Sequence, residues 1–293
     1  MEALETIKLV GWDEYISEQT QAQATDWLEQ GKVLYLPELR FAILPEENHL
    51  LSPRFASGKA KNISFDINSD RLRGALGSVE DRGMLKALLS RFATQAACLA
   101  GKLFPSYQPA LRVGRTSFRP VEIKGRMSSY QKDDTRLHID AFPSTPVQGN
   151  RILRVFSNIN PNREEDRVWH LGASFEEVAK AFLPKARRPF PAEPGVLRVL
   201  GITKSRRTAY DHYMLQMHDR MKADLEYQAA AVQLEFRFPG GSTWIVFTDQ
   251  VSHAAISGQH ALEQTLYLPI EVMADSSRSP VRILERLSGS RLV

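Results

Sequence analysis

The sequence predicts an α+β protein whose core is a double-stranded β-helix, the jelly-roll (cupin-like) architecture, with flanking helices and a helical insertion. Three observations favour this fold. Strand-like segments occur both before and after a helical region at about 174–230. Hydrophobic residues make up 43% and charged residues 25%, so the chain can bury a core. Two polar motifs, at 136–143 and 248–254, are far apart, as expected where a barrel closes its pocket with non-adjacent segments.

We expect one domain over residues 1–293, with a helix-and-strand region at 1–109, the core at 110–272 and a tail at 273–293. The net charge is +4 and the pI is about 9.1, which suits an anionic partner. The single Cys98 excludes an internal disulfide and an all-cysteine metal site. No apolar run has the length of a membrane span, and the N-terminus lacks a signal-peptide pattern, so we expect a cytoplasmic protein.

The N-terminal region is predicted to contain two helices and two short strands. Residues 20–31 place apolar side chains on one helical face and end at a glycine. Residues 32–36 and 62–67 are short and apolar or β-branched, which is typical of strands. Leucine and phenylalanine recur at helical spacing over 77–105, which predicts a long helix packed on the core.

The core is predicted to be built from strands on both sides of the insertion. Apolar and β-branched runs indicate these strands at 110–128, around 138, and at 151–161, 232–238, 243–248 and 262–272. The insertion has two helical patterns, at 175–183, which begins with a capping box, and at 210–227. The tail at 278–292 is basic and amphipathic. For it we favour a helix packed on the body over contact with an anionic membrane surface.

The motif at 136–143 contains a His-x-Asp pair that predicts a metal site. In a strand His138 and Asp140 face the same way, because alternate side chains share a face. Two histidines and one carboxylate form the facial triad of non-haem Fe(II) oxygenases, with positions left open for O2 and substrates. We predict His253 as the second histidine, since it follows a turn and an apolar strand. His260 and His170 are the lower-ranked alternatives.

A site of this kind commonly takes 2-oxoglutarate, and a cation must hold the far carboxylate of that co-substrate. In most such enzymes the cation follows shortly after the second histidine, but here that place is the uncharged Gln264. Arg154 lies in the middle of an apolar strand, where an arginine needs a partner. We therefore assign Arg154 to the distal carboxylate, with Arg151 as the second choice.

An arginine-rich stretch at 110–128 precedes the His-x-Asp motif and is predicted to form an anion-facing wall. Within it Arg119 is our first choice for contact with a substrate. The second insertion helix adds polar candidates to this wall. The predicted substrate-side cations are Arg119, Arg115, Arg126 and Arg112, and the weaker candidates are His212, Asp219 and Gln131, with His218 as a further possible residue of the wall.

Three stretches, at 137–144, 151–161 and 210–219, resemble the Kdo 3-hydroxylases, which are Fe(II)/2-oxoglutarate oxygenases of Gram-negative bacteria. The similarity covers nearly the whole chain. It implies hydroxylation at C3 of 3-deoxy-D-manno-oct-2-ulosonic acid (Kdo) in the lipopolysaccharide inner core, which gives D-glycero-D-talo-oct-2-ulosonic acid (Ko). It also implies that Fe(II), 2-oxoglutarate and O2 are required, that succinate and CO2 are released, and that the triad is His138, Asp140 and His253.

The resemblance further implies a Kdo-containing lipid A as substrate and peripheral contact with the cytoplasmic face of the inner membrane. Two other functions stay open on the residues alone: a 2-oxoglutarate oxygenase acting on a nucleic acid or a small acid, and a sugar-binding cupin-like module without catalysis. We expect no nucleic acid partner, because Phe118 is the single aromatic residue in the basic stretch and stacking of bases needs more. A serine hydrolase is disfavoured because the chain has no G-x-S-x-G motif.

Overall fold

The strands of this computed structural model form two sheets, one of eight strands and one of three. The α+β class is therefore confirmed, although no closed hydrogen-bonded barrel runs through the part of the chain that the structure describes. The described residues are 3–57, 62–126, 128–190, 198, 201 and 203–293. Part of the predicted insertion, at residues 191–197, 199, 200 and 202, lies outside them.

The larger sheet has the strand order β1-β2-β9-β6-β11-β5-β3-β4, and the smaller one has the order β10-β7-β8. Neighbouring strands are antiparallel except for β1 and β2, which are parallel. In chain order the strands are β1 (Leu4–Thr6), β2 (Val33–Leu36), β3 (Ile63–Asp66), β4 (Arg71–Arg73), β5 (Arg112–Arg119), β6 (Arg151–Asn158), β7 (Arg167–Leu171), β8 (Leu234–Phe238), β9 (Thr243–Phe247), β10 (His253–Ser257) and β11 (Ala261–Leu268).

The predicted helices are present, with shifted ends at most places. They are α1 (Glu18–Glu29), α2 (Val79–Leu103), α3 (Phe175–Phe182), α4 (Ala209–Ala223), α5 (Leu225–Ala230) and α6 (Pro280–Ser288). The pattern at 210–227 is two helices rather than one. Asp224 ends α4, and its side chain accepts a hydrogen bond from the Tyr227 N–H as the N-cap of α5. A capping side chain of this kind starts a new helix at a break in the old one.

Strand β6 lies between β9 and β11, and all its residues are buried. Because side chains alternate across a strand, Leu153 and Val155 face the main core, while Arg154 and Phe156 face the smaller sheet. The apolar stripe predicted for α2 is buried, and this helix packs against β5 and β11. The centre of the larger sheet thus packs on the main core with one face and meets the smaller sheet with the other.

Three predictions about strands were wrong. The segment around His138 is extended but is not a strand, because it makes only an isolated bridge to His253 and other backbone bonds go to separate partners. Strand β10 begins at His253, where a polar loop was expected. The last strand ends at Leu268, since Pro269 starts a 3-10 turn and has no N–H for the sheet. Strands β1, β4 and β7 were not predicted at all.

The C-terminal tail forms α6, which packs against α3. Val281 and Leu284 are fully buried, and Arg286 pairs with Glu176 of α3 at 3.0 Å. The favoured interpretation, a helix packed on the body, therefore agrees with the structure. Within the described residues, no helix combines the length and the apolar character needed to cross a membrane.

Candidate metal centre and its cavity

A His-Asp-His cluster forms where the segment after β5 meets the start of β10. The backbone N–H of His138 donates to the carbonyl of His253 at 3.0 Å, and the reverse bond is 2.9 Å long. The N–H of Asp140 donates to the carbonyl of Thr248 at 2.8 Å. These bonds bring one ligand atom from each of the three side chains within 4.8 Å of the other two.

Both imidazole rings are oriented by main-chain carbonyls two residues earlier in the chain. Nδ1 of His138 lies 2.8 Å from the carbonyl oxygen of Arg136, and Nδ1 of His253 lies 2.8 Å from that of Val251. A carbonyl oxygen can only accept, so Nδ1 carries the proton in both rings. The lone pair is then on Nε2, which is the atom that a metal would bind.

The protonation states of the cluster also suit a cation. Burial lowers the pKa of His138 well below its ordinary value and lowers that of His253, so both rings are neutral at neutral pH. Burial raises the pKa of Asp140, but the adjacent Arg154 guanidinium, together with smaller contributions from other neighbours, outweighs it and holds the pKa of Asp140 below its ordinary value. Nη2 of Arg154 is 3.2 Å from Oδ2 of Asp140, in an alignment that makes no hydrogen bond.

The donor set fits Fe(II). Two neutral imidazoles and one carboxylate provide the facial triad of non-haem iron enzymes, and no thiolate takes part. Oδ2 of Asp140 is buried and accepts no hydrogen bond, although Arg154 lies 3.2 Å away, so this oxygen is available to a metal ion. A search of the described residues for three or more histidine, cysteine or acidic side chains close enough to hold a metal ion finds this group.

The three predicted ligands open into a cavity of about 520 Å³. Its wall includes side chains from the segment after β5, from β5, β6, β7 and β10, and from α4. The volume matches that of ordinary small-molecule sites, which are concave and carry a few convergent polar groups. The cavity therefore has room for a metal, a co-substrate and one sugar unit.

Two arginines of the cavity wall are neutralised by carboxylates. Arg119 pairs with Glu263 at 2.7 Å and with Asp134 at 3.1 Å. Arg154 pairs with the same Glu263 at 2.9 Å in addition to its contact with Asp140. Burial would raise the pKa of Glu263, but Arg154 and Arg119 lower it below its ordinary value. Glu263 thus bridges the two guanidiniums and fixes their positions.

A third arginine of the wall, Arg167 on β7, has no carboxylate partner in the described part of the chain. Its Nη1 donates to the Gly258 carbonyl at 2.8 Å, but its Nε is buried and unpaired. Burial, reinforced by the nearby Arg119, lowers the pKa of Arg167 to about 9. Trp169, two residues later on the same face, stacks on His253 at 5.0 Å, and its indole N–H also lacks a partner.

Arg167 and Trp169 were missed by the sequence analysis. The available signal was the alternation in residues 167–171, where an arginine and a tryptophan stand two apart in a short β-rich run. Strand periodicity places both on one face. Because β7 was not predicted as a strand, the sequence did not indicate that this face points into the metal cavity.

Helix α4 closes the remaining side of the cavity. His218 packs edge to face on His138 at 5.5 Å between ring centroids, and its Nδ1 is 2.8 Å from Oδ1 of Asp219. Lys222 is buried, and its Nζ donates to the Gln131 carbonyl at 3.1 Å. Burial lowers the pKa of Lys222. The helix therefore directs a cation, an imidazole and a carboxylate towards the cavity.

The structure brings together only some of the predicted substrate-side residues. Arg119 and Asp219 line the cavity with the metal ligands. Arg115 is exposed and lines a neighbouring cavity, and Arg126 is exposed and is not part of the wall. His212 is buried on a different face of α4, where its Nε2 lies 2.9 Å from the Arg187 carbonyl. Direct contact of these last three with a sugar at the metal is not supported.

Arg151, the second choice for the co-substrate, lies outside the cavity, and that prediction was wrong. Arg151 is three residues before Arg154 on β6, so the two side chains point to opposite faces of the sheet, and that of Arg151 points to the main core. There Nε of Arg151 pairs with Asp249 at 2.8 Å, Nη2 donates to Gln250 at 2.6 Å, and the guanidinium lies 3.7 Å from the centre of the Phe247 ring. It has no access to a ligand.

Neither of the alternative histidines is near the cluster. His260 lies in the turn before β11 with φ of 58°, and its Nδ1 is buried without a partner. Nδ1 of His170 is 2.8 Å from the side-chain oxygen of Gln233. The structure brings His253, and neither alternative, to His138 and Asp140.

Comparison with known proteins gives a consistent answer. A family model described as 3-deoxy-D-manno-oct-2-ulosonic acid (Kdo) hydroxylase matches residues 11–291. Crystal structures of the Kdo hydroxylase KdoO, described as a non-haem Fe(II), α-ketoglutarate (2-oxoglutarate) dependent dioxygenase, cover 100% of this chain and 98% of their own. The cobalt(II) complex has a TM-score of 0.96 at 46% identity, and the complex with α-ketoglutarate and Fe(III) has 0.95 at 45%. A search of curated proteins found no match.

These matches span nearly all of both chains. They show a family of catalytic dioxygenases, which argues against a sugar-binding module without catalysis. The resemblance found in the sequence is thereby confirmed. The chain belongs to the Kdo hydroxylase family and is an Fe(II)- and 2-oxoglutarate-dependent dioxygenase.

Proposed function

We propose that this enzyme hydroxylates C3 of a Kdo unit in lipid A-linked lipopolysaccharide precursors, giving Ko with release of succinate and CO2. The observation that carries the proposal is the His138, Asp140 and His253 cluster, which opens into an arginine-lined cavity. We interpret the two sheets as the halves of an open jelly roll. In this interpretation the metal ligands lie between them, at the mouth.

The residues present divide into a metal shell and a co-substrate shell. The Nε2 atoms of His138 and His253 and a carboxylate oxygen of Asp140 would hold iron. We assign the distal carboxylate of 2-oxoglutarate to Arg167, assisted by the indole N–H of Trp169, because both have buried, unpaired donors. The sequence favours Arg154 for this role, but that side chain is 3.2 Å from the metal ligand Asp140. It is therefore placed to orient the end of 2-oxoglutarate that is nearer the metal.

When bound, iron with 2-oxoglutarate and O2 supplies the oxidising chemistry that replaces a C3 hydrogen by hydroxyl. The protein's own contribution is orientation and exclusion. Arg154 keeps Asp140 ionised and fixed in position. Trp169, stacked on His253, and Phe156 exclude water from one side of the cavity.

Recognition of Kdo is assigned to the α4 side of the cavity. Kdo has a carboxylate, and Lys222 is a buried cation whose described bond is to one carbonyl. A desolvated ammonium group gains more from a carboxylate than an exposed one. Asp219 and Gln131, joined at 3.3 Å, add acceptors and donors for sugar hydroxyls. Peripheral contact with the inner membrane is part of the proposal, because the substrate is anchored there.

The decisive experiment is an assay with Kdo-lipid A, Fe(II), ascorbate and 2-oxoglutarate. Mass spectrometry should show a gain of one oxygen in the Kdo unit, with succinate formed in equal amount. Asp140→Ala should abolish both products, and Co(II) titration followed by visible absorption should show at least about 100-fold weaker metal binding. His170→Ala, which alters a histidine outside the cluster, is the matched control. Oxygen insertion at another carbon would contradict the C3 assignment.

A further inference from the structure

A second cavity, of about 310 Å³, lies against a different face of α4 from the metal cavity. Three arginines line it: Arg187 shortly after α3, Arg207 just before α4, and Arg220 within α4. His212 contributes to the same wall. No part of the function proposed above uses these four side chains.

The two cavities lie against adjacent faces of the same helix, α4. His212, Gln216 and Arg220 are four apart and face the second cavity, whereas His218 and Lys222 face the metal. Leu215 and Asp219 line both cavities, so the two spaces adjoin directly. A group in the second cavity would therefore lie beside a sugar at the metal, as a group on a neighbouring unit of the same glycan does.

Among the described residues that line it, the second cavity has more cations than carboxylates. Its single carboxylate among the described lining residues is Asp219, and that group is already engaged by His218 at 2.8 Å and Gln131 at 3.3 Å on the metal side. Nε of Arg220 is buried and has no hydrogen-bond partner in the described part of the chain. Arg207 lies at the same wall and donates to the Pro143 carbonyl at 2.8 Å.

Most cations of the metal cavity are already engaged and are not available to bind a further acidic group of the substrate. Arg119 and Arg154 are both paired with Glu263, so their charge is already balanced. Lys222 and Arg167 are needed for the Kdo carboxylate and the co-substrate. The remaining described cation of that wall is the exposed Lys132. Planar guanidiniums suit a further carboxylate or phosphate better than an exposed ammonium, because they donate two parallel hydrogen bonds.

We propose that this second cavity is an anion subsite, which holds an acidic group one sugar unit or so away from the Kdo that is hydroxylated. Arg187 and Arg220 contact that group, and Arg207 supplies long-range attraction. The group is a phosphate of the lipid-linked disaccharide or the carboxylate of an adjacent acidic sugar. This inference rests on the proposed function, and it deepens it by making the enzyme selective for a polyanionic glycan over a single sugar.

The test compares substrates as well as variants. The substrates are Kdo-lipid A with its phosphates, the same molecule after enzymatic dephosphorylation, and the form with two Kdo units. For the unchanged enzyme, removing the anion that the subsite recognises should raise KM about tenfold or more. In Arg187→Gln and Arg220→Gln that difference between substrates should collapse towards one. Arg82→Gln, which removes an exposed arginine of α2 that lines neither cavity, should retain the full difference.

Each outcome decides one question. Collapse of the phosphate difference identifies a phosphate, and collapse of the difference between one and two Kdo units identifies a sugar carboxylate. If neither difference changes relative to Arg82→Gln, the subsite proposal is overturned. Arg187 is exposed, so Arg187→Gln serves alone if the α4 variant fails to fold.

Absence of turnover by the unchanged enzyme on every Kdo substrate would instead overturn the proposed function. Calorimetric binding of the phosphorylated and dephosphorylated glycans to the unchanged and Arg187→Gln proteins then decides the subsite separately. Equal affinities of both proteins for both glycans would overturn it.

Discussion

The arginines of the metal cavity differ in whether a carboxylate neutralises their charge. Arg154 and Arg119 share the Glu263 carboxylate, whereas Arg167 has only a carbonyl oxygen and an unpaired Nε. A buried guanidinium without a counterion is costly, and the protein retains it where a ligand supplies the anion. That contrast is why we place the far end of the co-substrate at Arg167.

Arg167→Gln should raise the KM for 2-oxoglutarate by about tenfold or more, because a charge-assisted pair of hydrogen bonds is lost. Binding can also be followed without turnover, through quenching of Trp169 fluorescence as 2-oxoglutarate is added. Arg163→Gln, at an exposed site, is the control. If KM and binding are unchanged in Arg167→Gln but altered in Arg154→Gln, the distal carboxylate belongs to Arg154.

His260 makes the folded protein sensitive to acid at a position away from the metal ligands. Burial lowers the pKa of this ring below its ordinary 6.5, so below about pH 6.5 the unfolded chain binds more protons than the folded one. The free energy of unfolding must therefore fall as the pH falls. The loss is limited to about 1.4 kcal/mol per pH unit between the two pKa values.

His260→Asn should reduce this loss of stability, and asparagine also tolerates the φ of 58° at this position. Urea unfolding at about pH 8 and pH 5 measures it, with the variant expected to lose less stability than the unchanged protein. His49→Asn is the control, because that ring is partly exposed and lies beside Asp81. An equal loss in the His260 variant and the unchanged protein would show that other groups dominate.

Among the elements, the α4–α5 pair holds the metal-binding segment in register. The Gln228 side chain of α5 accepts from the Leu137 N–H at 2.8 Å and donates to the Leu137 carbonyl at 2.9 Å, as a neighbouring strand would. Nη1 of Arg136 donates to the Lys222 carbonyl at 2.7 Å. The segment next to His138 therefore gains from a helix the backbone partners that a sheet would have provided.

Gln228→Ala removes both bonds to Leu137 and frees the residue before the first ligand. We expect Co(II) affinity to fall about 10-fold to 100-fold, as for other residues that orient metal ligands. Circular dichroism should show that the overall fold is kept. Gln30→Ala removes an exposed glutamine that bonds Asp26 and should leave affinity unchanged. Unaltered Co(II) affinity in Gln228→Ala would show that the bridge to His253 is sufficient on its own.

Elements with strong periodicity were predictable from the sequence, and elements defined by their partners were not. The stripe of α2 and the capping box of α3 determine those helices locally. The triad was recognisable because His138 and Asp140 are two apart and His253 follows a strand. Strand β7 is short and contains Arg167 and His170, so its identity depends on its neighbours β8 and β10. Arg151 was misassigned because the direction of β6 was unknown.

At the level of the whole molecule, Glu29 connects three distant parts of the chain. It ends α1 and is nearly inaccessible to solvent, at 1% exposure. It accepts hydrogen bonds from the Tyr107 hydroxyl at 2.5 Å and from the N–H groups of Ala274 and Asp275, both at 2.8 Å. The first helix, the segment after α2 and the segment after β11 are therefore held together by one carboxylate.

Glu29→Gln should lower the free energy of unfolding by about 1–3 kcal/mol, because the amide nitrogen would face a donor that needs an acceptor. Denaturant titration measures the change. Glu18→Gln at the exposed start of the same helix should change stability by less than about 0.5 kcal/mol. Equal effects at the two positions would argue that the tertiary hydrogen bonds add nothing.

The carbonyls that orient His138 and His253 belong to the main chain. A side-chain acceptor would be lost by a single codon change, but every amino acid at positions 136 and 251 still has a carbonyl group. Selection for the correct imidazole tautomer therefore acts on the path of the backbone rather than on residue identity. A substitution at either position that keeps the path of the backbone therefore keeps the orientation of both ligands.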